Sequence, residues 1–181
     1  AAPGGKSFAA AIAMGGKGSI VSCDIYPHKT ALIENGAARL GLTNITARQQ
    51  DASQTVPEWV GAMDTVIADV PCSGLGIIRK KPDIRYKNPE ELAQLPIIQR
   101  EILENVCRYV RSGGVLVYST CTILPEENEQ VTEAFLQAHP EFERTAFTLP
   151  LPIGSCDGQL TLWPQRHGTD GFYICRMRRK D

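Results

Sequence analysis

Cys72 and Cys121 are the residues of this sequence best placed to do chemistry. Cys72 sits in Ile67-Ala68-Asp69-Val70-Pro71-Cys72-Ser73-Gly74 and Cys121 closes Val115-Leu116-Val117-Tyr118-Ser119-Thr120-Cys121. Both follow short apolar runs of strand character, and a long helical segment separates them. In a parallel sheet the carboxyl ends of the strands share one edge, where ligands bind. If the two strands are neighbours, their axes lie about 5 Å apart, and both thiols could then face one cleft. None of the six cysteines forms a C-x-x-C pair, and His28, His139 and His167 are scattered, so no metal site is expected. Few chemistries want two thiols in a cleft without a metal or a disulfide. The bland alternative is a pair of small buried apolar side chains.

A second group of residues suits a nucleoside-bearing cofactor. Pro3-Gly4-Gly5 makes a tight turn that a ligand can approach closely, and the Ala-rich run after it offers a helix amino terminus with free N–H groups. Asp24 ends the next strand, 19 residues after Gly5, where a carboxylate can accept ribose hydroxyls. Asp51 ends the strand after that and could reach an adenine ring. Each acid alone could equally be a cap or turn residue. The turn is not G-x-G-x-x-G and lacks P-loop spacing, which disfavours NAD and ATP.

The elements that must position these residues alternate. Strands are expected at Ser19–Cys23, Ile45–Gln49, Thr65–Ala68 and Val115–Ser119. Helices are expected from Ser7 to Met14, from Pro27 to about Leu40, from Pro89 to Arg111 and from Pro125 to Ala138. Pro96 should kink or split the third helix, and Gly113-Gly114 should stop it. Glu126 and Glu127 fall in the first turn of the fourth, where they complement the helix dipole. Phe142–Leu149 and Gly171–Met177 read as terminal strands around a Pro- and Gly-rich loop from Pro150 to Thr169. This is the pattern of an α/β fold with a mostly parallel sheet. The 181 residues suffice for one domain, with 43% hydrophobic and 22% charged residues. No apolar run nears the roughly 20 residues of a membrane span. The net charge of −1 excludes binding nucleic acid by overall charge alone. No secretory signal is visible, so a cytoplasmic enzyme with reduced thiols is expected.

With these motifs in hand, the chain resembles the catalytic domain of RNA cytosine-5 methyltransferases of the Sun/RsmB type. The resemblance rests on Ala1-Ala2-Pro3-Gly4-Gly5-Lys6, Asp24, Asp51, Asp69-Val70-Pro71-Cys72-Ser73-Gly74, Lys81-Pro82-Asp83-Ile84-Arg85, Ser119-Thr120-Cys121, Pro125-Glu126-Glu127-Asn128 and Gly168-Thr169-Asp170-Gly171-Phe172-Tyr173. It implies a Rossmann-like methyltransferase fold with an antiparallel carboxy-terminal hairpin. Residues 1–181 would be one domain, truncated at its amino terminus, with the first strand and an RNA-binding domain missing. It implies S-adenosyl-L-methionine as cofactor, held by Ala1, Ala2, Pro3, Gly4, Gly5, Lys6, Asp24, Asp51 and Asp69. It makes Cys121 the nucleophile and Cys72 the residue that assists product release. The implied substrate is RNA, 16S ribosomal RNA in particular, and the enzyme is expected to act as a monomer, without metal or membrane.

The implied chemistry suits two thiols. Carbon 5 of cytosine is a poor nucleophile until a thiolate adds at carbon 6 and makes it enamine-like, which is covalent catalysis. A second group must then help the carbon-5 proton leave or the enzyme let go. Cys121 needs a positive or hydrogen-bonding environment to ionise, and Lys6 is one candidate to supply it. Asp69, if protonated, could assist at ring nitrogen 3, in competition with a cofactor role. The two cysteine roles would be reversed if the chain followed the DNA enzymes, which attack with the Pro-Cys thiol. Arg79-Lys80-Lys81-Pro82-Asp83-Ile84-Arg85-Tyr86-Lys87 could hold phosphates, with Tyr86 for stacking. The basic tail of Arg176, Arg178, Arg179 and Lys180 reads as ordinary surface. Cys23, Cys107 and Cys175 read as core, and Cys156 as a loop residue. A turnover-deficient ribosome-assembly module, or a methyltransferase acting on DNA, protein or a small molecule, are the competing functions.

Overall fold

The computed structural model describes all of residues 1–181. The chain divides into two compact units, Ala1–Thr55 and Val56–Asp181. In the first, the order is α1 (Gly5–Ala13), β1 (Ile20–Asp24), α2 (Pro27–Arg39) and β2 (Ile45–Gln49). Pro27 opens α2 with its φ already helical, and Gly41 follows the end of α2 at φ +66°. β1 and β2 pair in parallel, from Ile20 opposite Ile45 to Asp24 opposite Gln49. Two glycines abut one ring, and Gly4 also has φ +106°. A Cβ on Gly4 or on Gly36 would lie 2.4 Å from the Phe8 ring. Gly36 therefore persists inside α2, where helix propensity alone disfavours it.

The second unit continues with β3 (Met63–Asp69), α3 (Pro89–Val106), β4 (Val110–Thr120), α4 (Glu129–Ala138), β5 (Phe142–Arg144), β6 (Phe147–Leu149), β7 (Gly154–Cys156), β8 (Gln159–Leu162), the short α5 (Pro164–His167) and β9 (Phe172–Arg179). Its main sheet runs β3-β4-β9-β5, with β8 also on β9. β3 and β4 are parallel, Thr65–Asp69 facing Val115–Ser119. β9 runs antiparallel to β4, β5 and β8. Leu116 and Tyr118 of β4 alternate inward and meet Tyr173 and Met177 of β9, all fully buried. Leu103 of α3 and Val131 of α4 are buried with them. No helix is long and apolar enough to cross a membrane.

Three expectations need correction. Pro96 does not divide α3, which runs unbroken to Val106. One missing backbone hydrogen bond is outweighed because Gln99, Leu103 and Val106 anchor the second half in the core. Gly113-Gly114 do not stop that helix. They lie within β4 at a register shift against β3, and Gly113 has φ +70°. The segment from Pro150 to Thr169 is not a plain loop. It carries β7, β8 and α5, so Cys156 is a buried strand residue.

Candidate active site

Parallel pairing of β3 and β4 puts Asp69 opposite Ser119 at one sheet edge, and both chains then turn. The Cys72 Sγ lies 3.1 Å from the Cys121 Sγ, and the Cys121 N–H also donates to Cys72 Sγ at 3.3 Å. Both cysteines are half-buried and free of disulfides. The hydrogen bond shared with Cys121 and, after it, burial push the Cys72 thiol far up from its ordinary pKa. Either sulfur can be the donor in this contact.

Backbone contacts lock the two turns together. Gly74, at φ +78°, lets the chain reverse into a short 3-10 turn at Leu75–Ile77. The Gly76 N–H then donates to the Cys121 carbonyl at 3.0 Å, and the Gly171 N–H donates to the Gly76 carbonyl at 2.8 Å. A Cβ at Gly76 would fall 2.1 Å from the Gly171 oxygen and 2.8 Å from that of Cys121. Gly171 in the Gly168–Tyr173 motif is therefore a crossing point of three backbone segments. Lys80 forms an ion pair with Asp170 of the same motif.

Beneath the thiols lies a polar network that sequence reasoning did not find. Ser73 is fully buried. Its N–H donates to Glu127 Oε2 at 2.9 Å, its hydroxyl to Thr122 Oγ1 at 2.7 Å, and its carbonyl accepts from Lys87 Nζ at 2.8 Å. Gln99, also fully buried, donates to both the Pro71 carbonyl and Glu127 Oε2. Glu127 is only 2% exposed. The reading of Glu127 as a first-turn dipole residue is overturned, because α4 begins at Glu129 and the carboxylate turns inward. The signal available was the Pro125-Glu126-Glu127-Asn128 motif, whose first acid faces solvent and whose second does not. Asn128 is likewise buried, bridging Thr120 Oγ1 and the Thr122 carbonyl.

In the first unit the residues proposed for the cofactor share an edge. Asp24 and Asp51 follow the carboxyl ends of paired parallel strands. Asp24 Oδ2 accepts from the nitrogens of Ala1 and Ala2, and Oδ1 from the Tyr26 N–H. Asp51 Oδ1 accepts from the N–H and hydroxyl of Ser53. Both acids thus also order their own turns. Pro3-Gly4-Gly5 opens α1, nothing lies within 4 Å of a Cβ built on Gly5, and Lys6 is exposed. Backbone N–H groups at a helix start beside two carboxylates match the hydroxyls and amines of a nucleoside. Asp69, in the second unit, is exposed and accepts from Ser119 Oγ at 3.0 Å.

Of the other cysteines, Cys107 and Cys175 are buried as expected, whereas Cys23, expected in the core, is half-buried. Burial pushes the Cys107 and Cys175 thiols up to about 11. Cys23 is raised too, again chiefly by burial. A cavity of about 390 Å³ beside β7 and β8 is lined by Ile153, Cys156, Gln159, Leu160 and Arg166, but by neither central cysteine.

Parallel strands that carry acids and thiols at their carboxyl ends define a Rossmann-like α/β fold of the methyltransferase class. Solved relatives share it. NSun6 from Pyrococcus horikoshii, solved with SFG, superposes with a TM-score of 0.82 at 28% identity, covering 100% of this chain and 46% of that one. A methyltransferase homologue from the same organism gives 0.76 at 27% identity, covering 99% and 59%. The family described as 16S rRNA methyltransferase RsmB/F matches residues 1–178, and the chain belongs to that family. It is 46% identical to a Bacillus subtilis protein named "Probable ribosomal RNA small subunit methyltransferase B", over 99% of this chain and 42% of that protein. It is 31% identical to ribosomal RNA small subunit methyltransferase F of Klebsiella pneumoniae, over 99% and 39%. The chain therefore spans about two fifths of the length of these curated relatives.

Proposed function

We propose that this chain carries the methyl-transfer chemistry of an S-adenosylmethionine-dependent RNA cytosine-5 methyltransferase acting on 16S ribosomal RNA. The observation that carries the reading is the 3.1 Å approach of Cys72 and Cys121 at the ends of adjacent parallel strands. Family membership and a relative solved with SFG, an analogue of S-adenosylmethionine, support the cofactor and the RNA substrate.

When bound, S-adenosylmethionine supplies the methyl group. Ala1 to Lys6, Asp24, Asp51 and Asp69 are the residues assigned to hold it. Cys121 adds as thiolate to carbon 6 of the cytosine, forming a carbon–sulfur bond and moving electron density to carbon 5. Carbon 5, once methylated, gives its proton to water as the carbon 6–sulfur bond breaks, and Cys121 leaves as thiolate with Cys72 hydrogen-bonding its sulfur. The division of roles follows the family resemblance, and the contact between the sulfurs lets one cysteine hydrogen-bond the other as it ionises. A base paired in a duplex hides its carbon 6, so the target is single-stranded or flipped out.

RNA containing 5-fluorocytosine cannot release a proton from carbon 5, so it traps the adduct. With the full chain and cofactor, Cys121→Ala is expected to abolish trapping. Cys72→Ala is expected to accumulate a covalent complex on ordinary RNA. The reverse pattern would exchange the two roles, and no covalent complex in either variant would remove the mechanism.

A further inference from the structure

We infer that Glu127 is a positioning residue that sets the Cys72 sulfur against Cys121 by clamping Ser73 from below. The inference rests on the cysteine roles proposed above and adds the group that holds them in register. Cys72 itself is fixed by no side chain other than Cys121. Besides the Cys121 N–H, the residues on either side hold it. The Pro71 carbonyl is held by Gln99 Nε2 at 2.9 Å, and the Ser73 N–H by Glu127 Oε2 at 2.9 Å. Gln99 and Glu127 are joined to each other at 2.8 Å. One carboxylate oxygen thus gathers both flanks of the Cys72 turn.

The same residue is tied to the strand that carries Cys121. The Tyr118 hydroxyl of β4 donates to the Glu127 backbone carbonyl at 2.6 Å. Glu127 therefore links the end of β4 to the turn after β3 through its main chain on one side and its side chain on the other. A buried carboxylate is costly unless hydrogen bonds compensate it, and here two N–H donors converge on Oε2 while Oε1 has no partner. The group is satisfied only on the side that faces the Cys72 turn. A surface or dipole role would leave the carboxylate in water.

This geometry makes distinct forecasts for different substitutions. Glu127→Gln keeps an oxygen where Oε2 lies and so keeps both clamping bonds. Glu127→Ala removes them and frees the turn. In the full chain, Glu127→Ala is expected to lower kcat by about 10- to 100-fold, the cost of misplacing a reacting group by a fraction of an ångström to one ångström. KM for RNA and for S-adenosylmethionine should stay near wild type. Peptide mass spectrometry should show Cys72 alkylated several-fold faster by iodoacetamide. Glu127→Gln should restore both readouts. If Glu127→Ala does not fold, Glu127→Asp, which withdraws the carboxylate by one methylene, carries the same forecast. A Gln variant as impaired as Ala, or an Ala (or Asp) variant with wild-type kcat and Cys72 alkylation, overturns the clamp. The alkylation readout needs no RNA. If Cys72→Ala accumulates no complex while Glu127→Ala still accelerates Cys72 alkylation, the clamp stands and the cysteine roles fall.

Discussion

Glycine and glutamate do as much at this site as the cysteines. Gly76 allows three backbone segments to cross where any side chain would collide with carbonyl oxygens, which cannot swing aside as a flexible side chain can. Gly76→Ala is therefore expected to destabilise the protein by about 1–3 kcal/mol, read as a lowered urea midpoint, and to reduce methyl transfer because Gly76 also binds the Cys121 carbonyl. Gly5→Ala is the contrasting case. Its Cβ enters open space at the start of α1, so stability should hold or rise by about 0.5–1 kcal/mol. If the Gly4-Gly5 turn is the cofactor cradle, the same methyl group should weaken S-adenosylmethionine binding in calorimetry. Unchanged affinity would remove that turn from the cofactor site.

Elements whose pattern is local were legible in the sequence. β2 lies at Ile45–Gln49, the bounds expected, and α2 ends one residue before the expected Leu40. The placement of each thiol at a strand end was legible, whereas the adjacency of the two strands that brings them together comes from the fold. What escaped was long-range. Glu127 has the composition of a helix start, and only the fold brings the Ser73 N–H to it across 54 positions. β7 and β8 are three and four residues long, too short for alternation to show, and β8 exists because β9 offers it an edge. The contact between α3 and α4 was equally hidden and supplies a pH-dependent element. His139, at the end of α4, bonds Glu141 through Nδ1 at 3.0 Å and Glu104 of α3 through Nε2 at 2.8 Å, and it stacks on Phe135. Burial disfavours its charge, but the two carboxylates outweigh burial and raise its pKa. A raised folded-state pKa means the stabilisation is fully present below the unfolded value of about 6.5 and is lost as pH rises through the folded value. For Glu141 burial also opposes ionisation, yet hydrogen bonds and His139 leave its pKa lowered, so its share is lost as pH falls through that value. The stability difference between wild type and His139→Gln should thus be largest in mildly acid solution and shrink towards alkaline pH. Urea unfolding across pH 5 to 9 measures it, and since both carboxylates are nearly half exposed, salt should weaken it. A difference that does not change with pH would mean His139 stays neutral and contributes only packing.

Over the whole molecule, 19 basic and 20 acidic residues nearly cancel, so any attraction for RNA must come from how charge is distributed. Two basic clusters stand out, and the structure separates them. In the tail, Arg176 is spent on Thr145 Oγ1 and the Ala146 carbonyl, Arg179 on the Val110 carbonyl, and Lys180 on the Pro140 carbonyl. Those side chains hold β9 to its surroundings. The run from Arg79 to Lys87 is different. Lys80 and Lys87 are engaged with Asp170 and Ser73, which anchors the run to the Cys72 turn. Arg79 and Lys81 are exposed and unpaired, and Arg85 lies over the ring of Tyr86, itself 79% exposed. Arg79, Lys81 and the Tyr86 ring are thereby left for a ligand beside the thiols, with Arg85, whose Nε donates to the Pro82 carbonyl at 3.2 Å, offering its remaining guanidinium nitrogens. Each phosphate neutralised on a single strand contributes about 0.7 to the slope of log affinity against log salt. Replacing Arg79, Lys81 and Arg85 together by alanine should weaken binding of a cytosine-containing single-stranded RNA by the full chain and flatten that slope by about 2. Replacing Arg178 and Lys180 should leave the slope unchanged, since one leans on Asp181 and the Gly113 carbonyl and the other on Pro140. Fluorescence anisotropy titrations at several salt concentrations read both. A slope that responds to the tail and not to the run would move the RNA path away from the Cys72 turn, and the anchoring of Lys80 and Lys87 would then serve the fold alone.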